Sequence, residues 1–384
     1  MASAIHKKEI PAVRLAWNNI IHDRLRFTVT IVGIAFAVFL MVFQGSLLTG
    51  FLRAAAKGID ASDGDIWIVA RGVECFEFAI PLPKRFREIS MGAPGVESVD
   101  RMAVGFAVWQ KPSGLSQLVL LIGAESGVGP RFPVPYLHPR SPATIPDAIL
   151  VDESNAPALE SVAVPVSLEV NQRRANAVSV INGFGSFFGT PYVFTGYADA
   201  VRYLNVPAEK TFYLVVNVTA GHDVKAVQKE LIARLPEADV LTREEFARRS
   251  QLFWVIKTGA GSALLTAAFL GFLVGMVIVS QNIYATTMEN LEEYATLKAI
   301  GAPRSYIRGV VLIQALVSGI IGSCVGLAAV FPATHAITGM ISWIYTPWWL
   351  PISMIGVGLL MCCLASIVSI RKALSVEPAK VFRA

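Results

Sequence analysis

Three glutamates, Glu289, Glu292 and Glu293, stand in the stretch MENLEEYATLKAIGAPRSYI, between two long apolar runs. On one helix, with Leu291, Tyr294 and Leu297 beside them, they have the makings of a docking surface. The acids would pair with a basic partner, and the apolar side chains would anchor it. Like charges at i, i+4 cost an isolated helix about 0.2–0.5 kcal/mol, a cost that a docked basic surface would offset. Gly301 stands where a C′ residue ends a helix, and Pro303 keeps that helix from resuming.

No other group of residues offers convincing chemistry. His138 and His222 lie in no recognisable motif, and no serine sits in a nucleophile elbow. GFGSFFGT at 183–190 lacks the lysine and the helix start of a phosphate-binding loop, and reads as a flexible loop. Of the four cysteines, Cys324, Cys362 and Cys363 fall in apolar runs, which leaves Cys75 as a half-buried free thiol. Their spacing fits no metal site. NVT at Asn217 matches a glycosylation acceptor but falls inside a strand-like run.

The elements that would position the glutamates are membrane spans. Hydrophobic residues make up 54% of the 384 residues, charged residues only 16%, and mean hydropathy is +0.55. That balance points to a lipid bilayer as solvent. The net charge of +5 comes without a basic run interleaved with aromatics, which excludes a nucleic-acid partner.

Four runs are long enough to cross, and they divide the chain. We expect a cytoplasmic amphipathic helix within residues 1–26, spans at 27–50, 258–285, 310–337 and 347–370, and a cytoplasmic tail at 371–384. Residues 51–257 form one extracytoplasmic domain, residues 286–309 a cytoplasmic loop, and residues 338–346 a short outer loop. The N-terminal tail, the 286–309 loop and the C-terminal tail carry the Lys and Arg residues, whereas TGMISWIYTP has no charge. Both termini and the glutamates are therefore expected in the cytoplasm, with Trp343, Tyr345, Trp348 and Trp349 as an outer aromatic belt. The spans hold no ionisable group except His335 near one end, which argues against a proton-coupled transporter. Gly271 with Gly275, and Gly322 with Gly326, fit close helix–helix or dimer contact.

The fold class is thus an α-helical membrane protein with four transmembrane helices and a large α+β domain between the first two. Strand-like runs in that domain include DIWIVA, AVGFAVW, LVLLIGA, AILVD and TFYLVVNV. Residues 83–101 and 227–243 echo each other as helix, break and short strand, which suggests two βαβ-like units around a strand-rich middle. Thr242 with Glu245 forms a capping box that opens a helix running through Trp254 towards the second span.

MENLEEYATLKAIGAPRSYI resembles the segment after the second span of MacB/FtsX-type (type VII) ABC transporter permeases. The tail ALSVEPAKVFRA and the element order are similar to that family, and RFTVTIVGIAFAVFLM, DIWIV, GVESVD and AVWQ resemble its DevC-like branch. The resemblance implies a homodimer working with a separate cytoplasmic ABC ATPase that binds ATP and Mg, with no cofactor and no ATPase motif in this chain. It further implies a coupling surface at Glu289, Leu291, Glu292, Glu293, Tyr294 and Leu297, ended by Gly301 and Pro303. It also implies a periplasmic adaptor protein and an outer-membrane channel. Export or extraction of a hydrophobic or amphipathic substrate is one expectation. An FtsX-like mechanotransmitter that signals to envelope enzymes is the other.

Overall fold

The computed structural model describes residues 24–134, 147–161, 164–337 and 341–375. Most of the amphipathic helix expected before residue 27, together with His138 and the tail after residue 375, lies outside the described residues. The chain divides into two compact units: a helical one of residues up to 49, 263–337 and from 345 on, and an α+β one of residues 50–262 and 338–344.

Helix α1 (Arg24–Asp60) runs ten residues past the end of the expected first span, and its last turns belong to the α+β unit. There follow β1 (Ile66–Ala70), β2 (Leu82–Pro83), α2 (Arg85–Met91), β3 (Val96–Gln110) and β4 (Ser116–Ala124). Next come β5 (Ala148–Asp152), β6 (Val166–Val170), β7 (Arg173–Ile181), β8 (Tyr192–Gly196), α3 (Tyr197–Tyr203) and β9 (Lys210–Thr211). The unit closes with β10 (Tyr213–Val218), α4 (Val224–Arg234), β11 (Ala238–Thr242) and α5 (Arg243–Leu252).

Nine of these strands form one sheet in the order β11-β1-β10-β3-β4-β8-β5-β7-β6. In its first part, β1–α2–β3 and β10–α4–β11 interleave, each neighbouring pair antiparallel. That is the split βαβ arrangement of a ferredoxin-like half-sandwich. The two echoing stretches are its two helix–strand halves. All five residues of β1, IWIVA, are buried, as expected of a strand covered on both faces. Trp67 packs there against Phe76, Tyr213 and Phe246.

The strand-rich middle is a second structure. β6 returns to β3, pairing Trp109 with Val170, so that β3, β4, β8, β5, β7 and β6 close into a six-stranded barrel. Closure leaves these strands no free edge on the ring. Trp109, Leu121, Val151 and Val193 belong to the core inside it, and the Trp109 indole donates to Leu159 O at 3.2 Å. β3 is long because it serves both structures. The second Tyr192–Tyr203 pair of elements, β8 with α3, was not expected from sequence.

The helical unit consists of α1, α6 (Ala260–Glu289), α7 (Leu291–Ala299), α8 (Arg304–Ile337) and α9 (Trp349–Ser375). Four of these, all except α7, are long and apolar enough to cross a membrane. Lipid tails give apolar helices no hydrophobic reason to associate, so association rests on close van der Waals packing, which small residues permit. Here glycines line α1's contacts. A Cβ on Gly322 would lie 2.6 Å from Ile34 Cβ, and one on Gly326 2.5 Å from the Ala35 carbonyl oxygen. Gly275 faces Ala37 and Met361, and Gly271 approaches Leu40 Cβ. All four predicted glycines therefore serve packing within one chain.

Adding a methyl group separates two glycines that sequence alone treats alike. Gly326→Ala should destabilise by about 1–3 kcal/mol through overpacking against α1 backbone. Gly309→Ala, with nothing within 4 Å of its Cβ, should be neutral or stabilising by about 0.5–1 kcal/mol. Thermal unfolding of the two variants in the same detergent checks the opposite signs.

Candidate functional site

The glutamate-bearing segment is not one helix. Glu289 is the last residue of α6, and Asn290 breaks the helix with φ −85° and ψ 15°. Both the backbone N–H and the side-chain amide of Asn290 donate to Thr286 O, at 3.2 and 3.0 Å. Helix α7 then restarts, with Glu292 and Glu293 in its first turn and Lys298 in its last. The expected like-charge cost is thus replaced by a gain. Acids at a helix N-terminus and a base at its C-terminus each stabilise by about 0.3–1 kcal/mol.

All three glutamates are exposed, but their apolar companions are not a surface. Tyr294 is only 1% exposed and sits in the helical unit's core with Ile283, Ile307 and Val310. Leu297 packs half-buried against the same cluster, and Leu291 is half-buried. The i, i+3 spacing of these three residues, read as the inward stripe of a helix, carried that signal. They hold α7 in place and leave the acids outward. Lys298 Nζ adds a tie, donating to Leu374 O at 3.1 Å.

The end of α7 is as expected and tighter. Gly301 has φ +92°, Ala302 N–H donates to Leu297 O at 2.9 Å, and Gly301 N–H donates to Lys298 O at 3.1 Å. This is a Schellman motif. Pro303 does not merely stop a helix. Tyr306 N–H donates to Pro303 O at 3.0 Å, and α8 starts at Arg304, six residues before the expected third span. A proline's preset φ suits that helix start. Glu292 and Glu293 are thus carried on a short helix pinned at both ends, with Glu289 just before it at the end of α6.

A second constellation lies in the α+β unit. The capping box forms as expected: Glu245 N–H donates to Thr242 Oγ1 at 3.3 Å, and Thr242 N–H donates to Glu245 Oε2 at 2.9 Å. Burial raises the Glu245 pKa, but bonds from Lys225, the Thr242 N–H and Gln228 outweigh it and hold it at about 2. After α5 the chain makes one π-helical turn, Phe253–Lys257, and Gly259 at φ +75° interrupts it before α6. The helix expected to run, continuously or nearly so, through Trp254 towards the second span is therefore jointed.

Trp254 in that turn is a hub. Its ring meets Phe187 at 4.9 Å, Phe188 at 5.2 Å and Phe51 at 6.4 Å, and Phe51 meets Trp343 at 5.9 Å. Trp343 is thus a packing residue rather than part of an exposed belt, whereas Trp348 is 80% exposed. The 183–190 loop is fastened rather than free, through Phe187, Phe188 and the Phe184 N–H, which donates to Asp152 Oδ2 at 2.6 Å. In sequence, Phe51 follows the first span, Trp254 precedes the second, and Trp343 lies between the third and fourth.

The hub encloses Glu77. Tyr192 O–H donates to its Oε1 at 3.0 Å, and Trp254 Nε1–H donates to its Oε2 at 2.9 Å. No metal-binding cluster occurs among the described residues. Cys75 beside it is fully buried, not half-buried, and burial pushes its thiol up to about 12. One acid among Cys75, Phe76 and Phe78 was the sequence signal for a buried carboxyl. Asn217 is engaged in β10, its amide donating to Ser98 Oγ at 2.8 Å.

Residues 27–234 match the family described as the MacB-like periplasmic core domain, and residues 264–378 the FtsX-like permease C-terminal region. An uncharacterized ABC transporter permease of Mycobacterium tuberculosis (strain CDC 1551 / Oshkosh) is 24% identical over 369 residues, covering 94% of this chain and 95% of that protein. One from Mycobacterium bovis is 25% identical over 374 residues, with the same coverages. Among solved structures, the periplasmic region of MacB from Actinobacillus actinomycetemcomitans aligns at TM-score 0.36 and 10% identity, covering 50% of this chain and 95% of that one. The extracellular domain of the noncanonic ABC-type transporter YknZ from Gram-positive bacteria aligns at 0.34 and 13%, covering 46% and 98%.

Glu77 has a measurable consequence. Burial raises its carboxyl from the usual 4.5 to about 7. Below pH 4.5 the group is protonated in both folded and unfolded chains. Between 4.5 and about 7 the unfolded carboxyl ionises while the folded one stays neutral, so stability falls as pH rises. At about 1.4 kcal/mol per pKa unit the full loss is about 3 kcal/mol. Glu77→Gln, which keeps an acceptor for Trp254, should remove this pH dependence and melt several degrees above the parent at pH 8. Melting curves of both proteins between pH 5 and 8 test it.

Proposed function

The chain belongs to the MacB/FtsX-type ABC transporter permeases, and from that premise we propose that it is the membrane subunit of an ATP-driven exporter working by mechanotransmission. A separate cytoplasmic ATPase binds ATP and Mg and docks on α7. Two copies of the permease pair in the inner membrane, with both termini cytoplasmic and the α+β unit outside. The substrate is hydrophobic or amphipathic and is taken from the outer side, with a periplasmic adaptor and an outer-membrane channel completing the path.

The observation that carries this reading is the exposed acidic turn of α7, pinned by Tyr294 inside the helical core and by the Schellman turn at Gly301. A force applied to such a helix passes into α6 and α8 and is not lost in a flexible loop. The Trp254 hub supports the outer end of the same reading. Residues next to all four spans in sequence meet there, so motion of any one span reaches one aromatic cluster. The spans supply no ionisable relay for ion-driven transport, which leaves the energy source to a partner.

Reversal of Glu289, Glu292 and Glu293 to Lys tests the docking assignment. The triple variant should stay folded and melt only a few degrees below the parent, since the loss is that of acids at the α7 N-terminus, about 0.3–1 kcal/mol each, while losing co-purification of the ATPase or its stimulated ATP hydrolysis by at least tenfold. Unchanged co-purification together with unchanged stimulation would sink the assignment.

A further inference from the structure

Beside the Trp254 hub, the α+β unit carries a cleft that the coupling role does not use. Its volume is about 480 Å³, within the range of small-ligand sites, about 300–1,000 Å³. Phe78, Ile80, Val104, Phe106, Phe212 and Phe253 line it. Phe78 is 47% and Ile80 43% exposed, and the Phe78 ring lies 5.8 Å from that of Phe106. The polar groups along its inner wall are already engaged: both Glu77 oxygens accept hydrogen bonds, from Tyr192 and Trp254. A ligand with donors or acceptors in this part would leave them unpaired, which is costly, whereas a hydrocarbon loses nothing.

The cleft has a polar neighbour. A second one, about 760 Å³, shares Gly72, Glu74 and Phe253 with the first. Leu252 and Ile256 give it an apolar side; Arg248, Arg249 and Lys257 line it together with two acids, Glu74 and Glu245, the latter paired with Lys225. Arg249 pairs with Asp239 at 2.6 Å, and Lys257 pairs with Glu74. Arg248 is exposed and takes part in no ion pair among the described residues. Ile256 precedes the first residue of the second span by four positions.

We propose that these joined clefts bind one amphiphile, its alkyl chain lying between Phe78, Phe106 and Phe253 and its anionic head paired with Arg248. The inference rests on the reading of this chain as handling an amphipathic substrate, and it names the site and the charge of that substrate.

The test needs no ATPase, so it is independent of the docking assignment. The full-length protein in phosphatidylcholine nanodiscs is photolabelled with a diazirine-bearing palmitate and, separately, with the corresponding uncharged diazirine alcohol. Labelled peptides are mapped by mass spectrometry. The expected result is palmitate label on the peptides holding Phe78, Phe106 and Phe253, competed by unlabelled palmitate. Phe106→Ser should reduce that label at least fivefold. Arg248→Glu should reduce the palmitate label at least fivefold while leaving the alcohol label unchanged. A melting curve for each variant confirms that the fold is kept. Label confined to the membrane helices, or label in the cleft that neither variant alters, overturns the proposal. Label in the cleft alongside unimpaired ATPase coupling in the α7 triple variant would sink the docking assignment and leave this site standing.

Discussion

The helical unit depends on how closely α1 can be approached. In lipid, an apolar helix gains nothing by leaving hydrocarbon for another apolar helix, and only shape-matched contact favours association. α1 obtains that contact because α6 and α8 present glycines to it, at Gly271 and Gly275 and at Gly322 and Gly326. Gly358 of α9 makes the same approach to Val38 and Ser323. Backbone meets side chain directly, and Ile34, Ala37 and Val38 become fully buried in a bundle that no hydrophobic effect would assemble.

The α+β unit is built on a different force. Outside lipid, burial of apolar surface is favourable in itself, about 25 cal/mol for each Å². The large side chains concentrate there accordingly: Trp67, Phe76, Tyr213 and Phe246 in the ferredoxin-like half, Trp109 in the barrel. The cost of such dense aromatic packing is that a carboxyl such as Glu77 must lose its water. It stays because Tyr192 and Trp254 donate to it and because it can take up a proton. The same hub gathers residues that stand near the spans in sequence, Phe51, Trp254 and Trp343.

Part of this was legible from local pattern. Apolar length marked four spans. Alternating and continuous apolar runs marked most strands, and the Thr242–Glu245 spacing marked the capping box. Gly301 marked the end of α7 because only a residue tolerant of positive φ closes a helix that way. β8 and α3 were not legible, since PYVFTGYADAVRY reads equally as loop, strand or helix until its neighbours are placed. The break at Asn290 escaped too. Asparagine is tolerated inside helices, and only its pair of bonds to Thr286 shows that it caps one here.

What the amino-acid sequence determined by itself is whatever depends on near neighbours and on solvent: the spans, the caps, the acidic turn and the membrane class. Periodicity and hydropathy act over a few residues, so they survive without knowledge of the fold. Tertiary structure alone decided the matters of long-range pairing. β6 returns to β3 and closes a barrel, Tyr294 turns from apparent anchor to core residue, and Glu77 meets Tyr192 and Trp254 across 115 and 177 positions of chain. Such contacts follow from which surfaces must be buried together, a condition that no local stretch of residues can express.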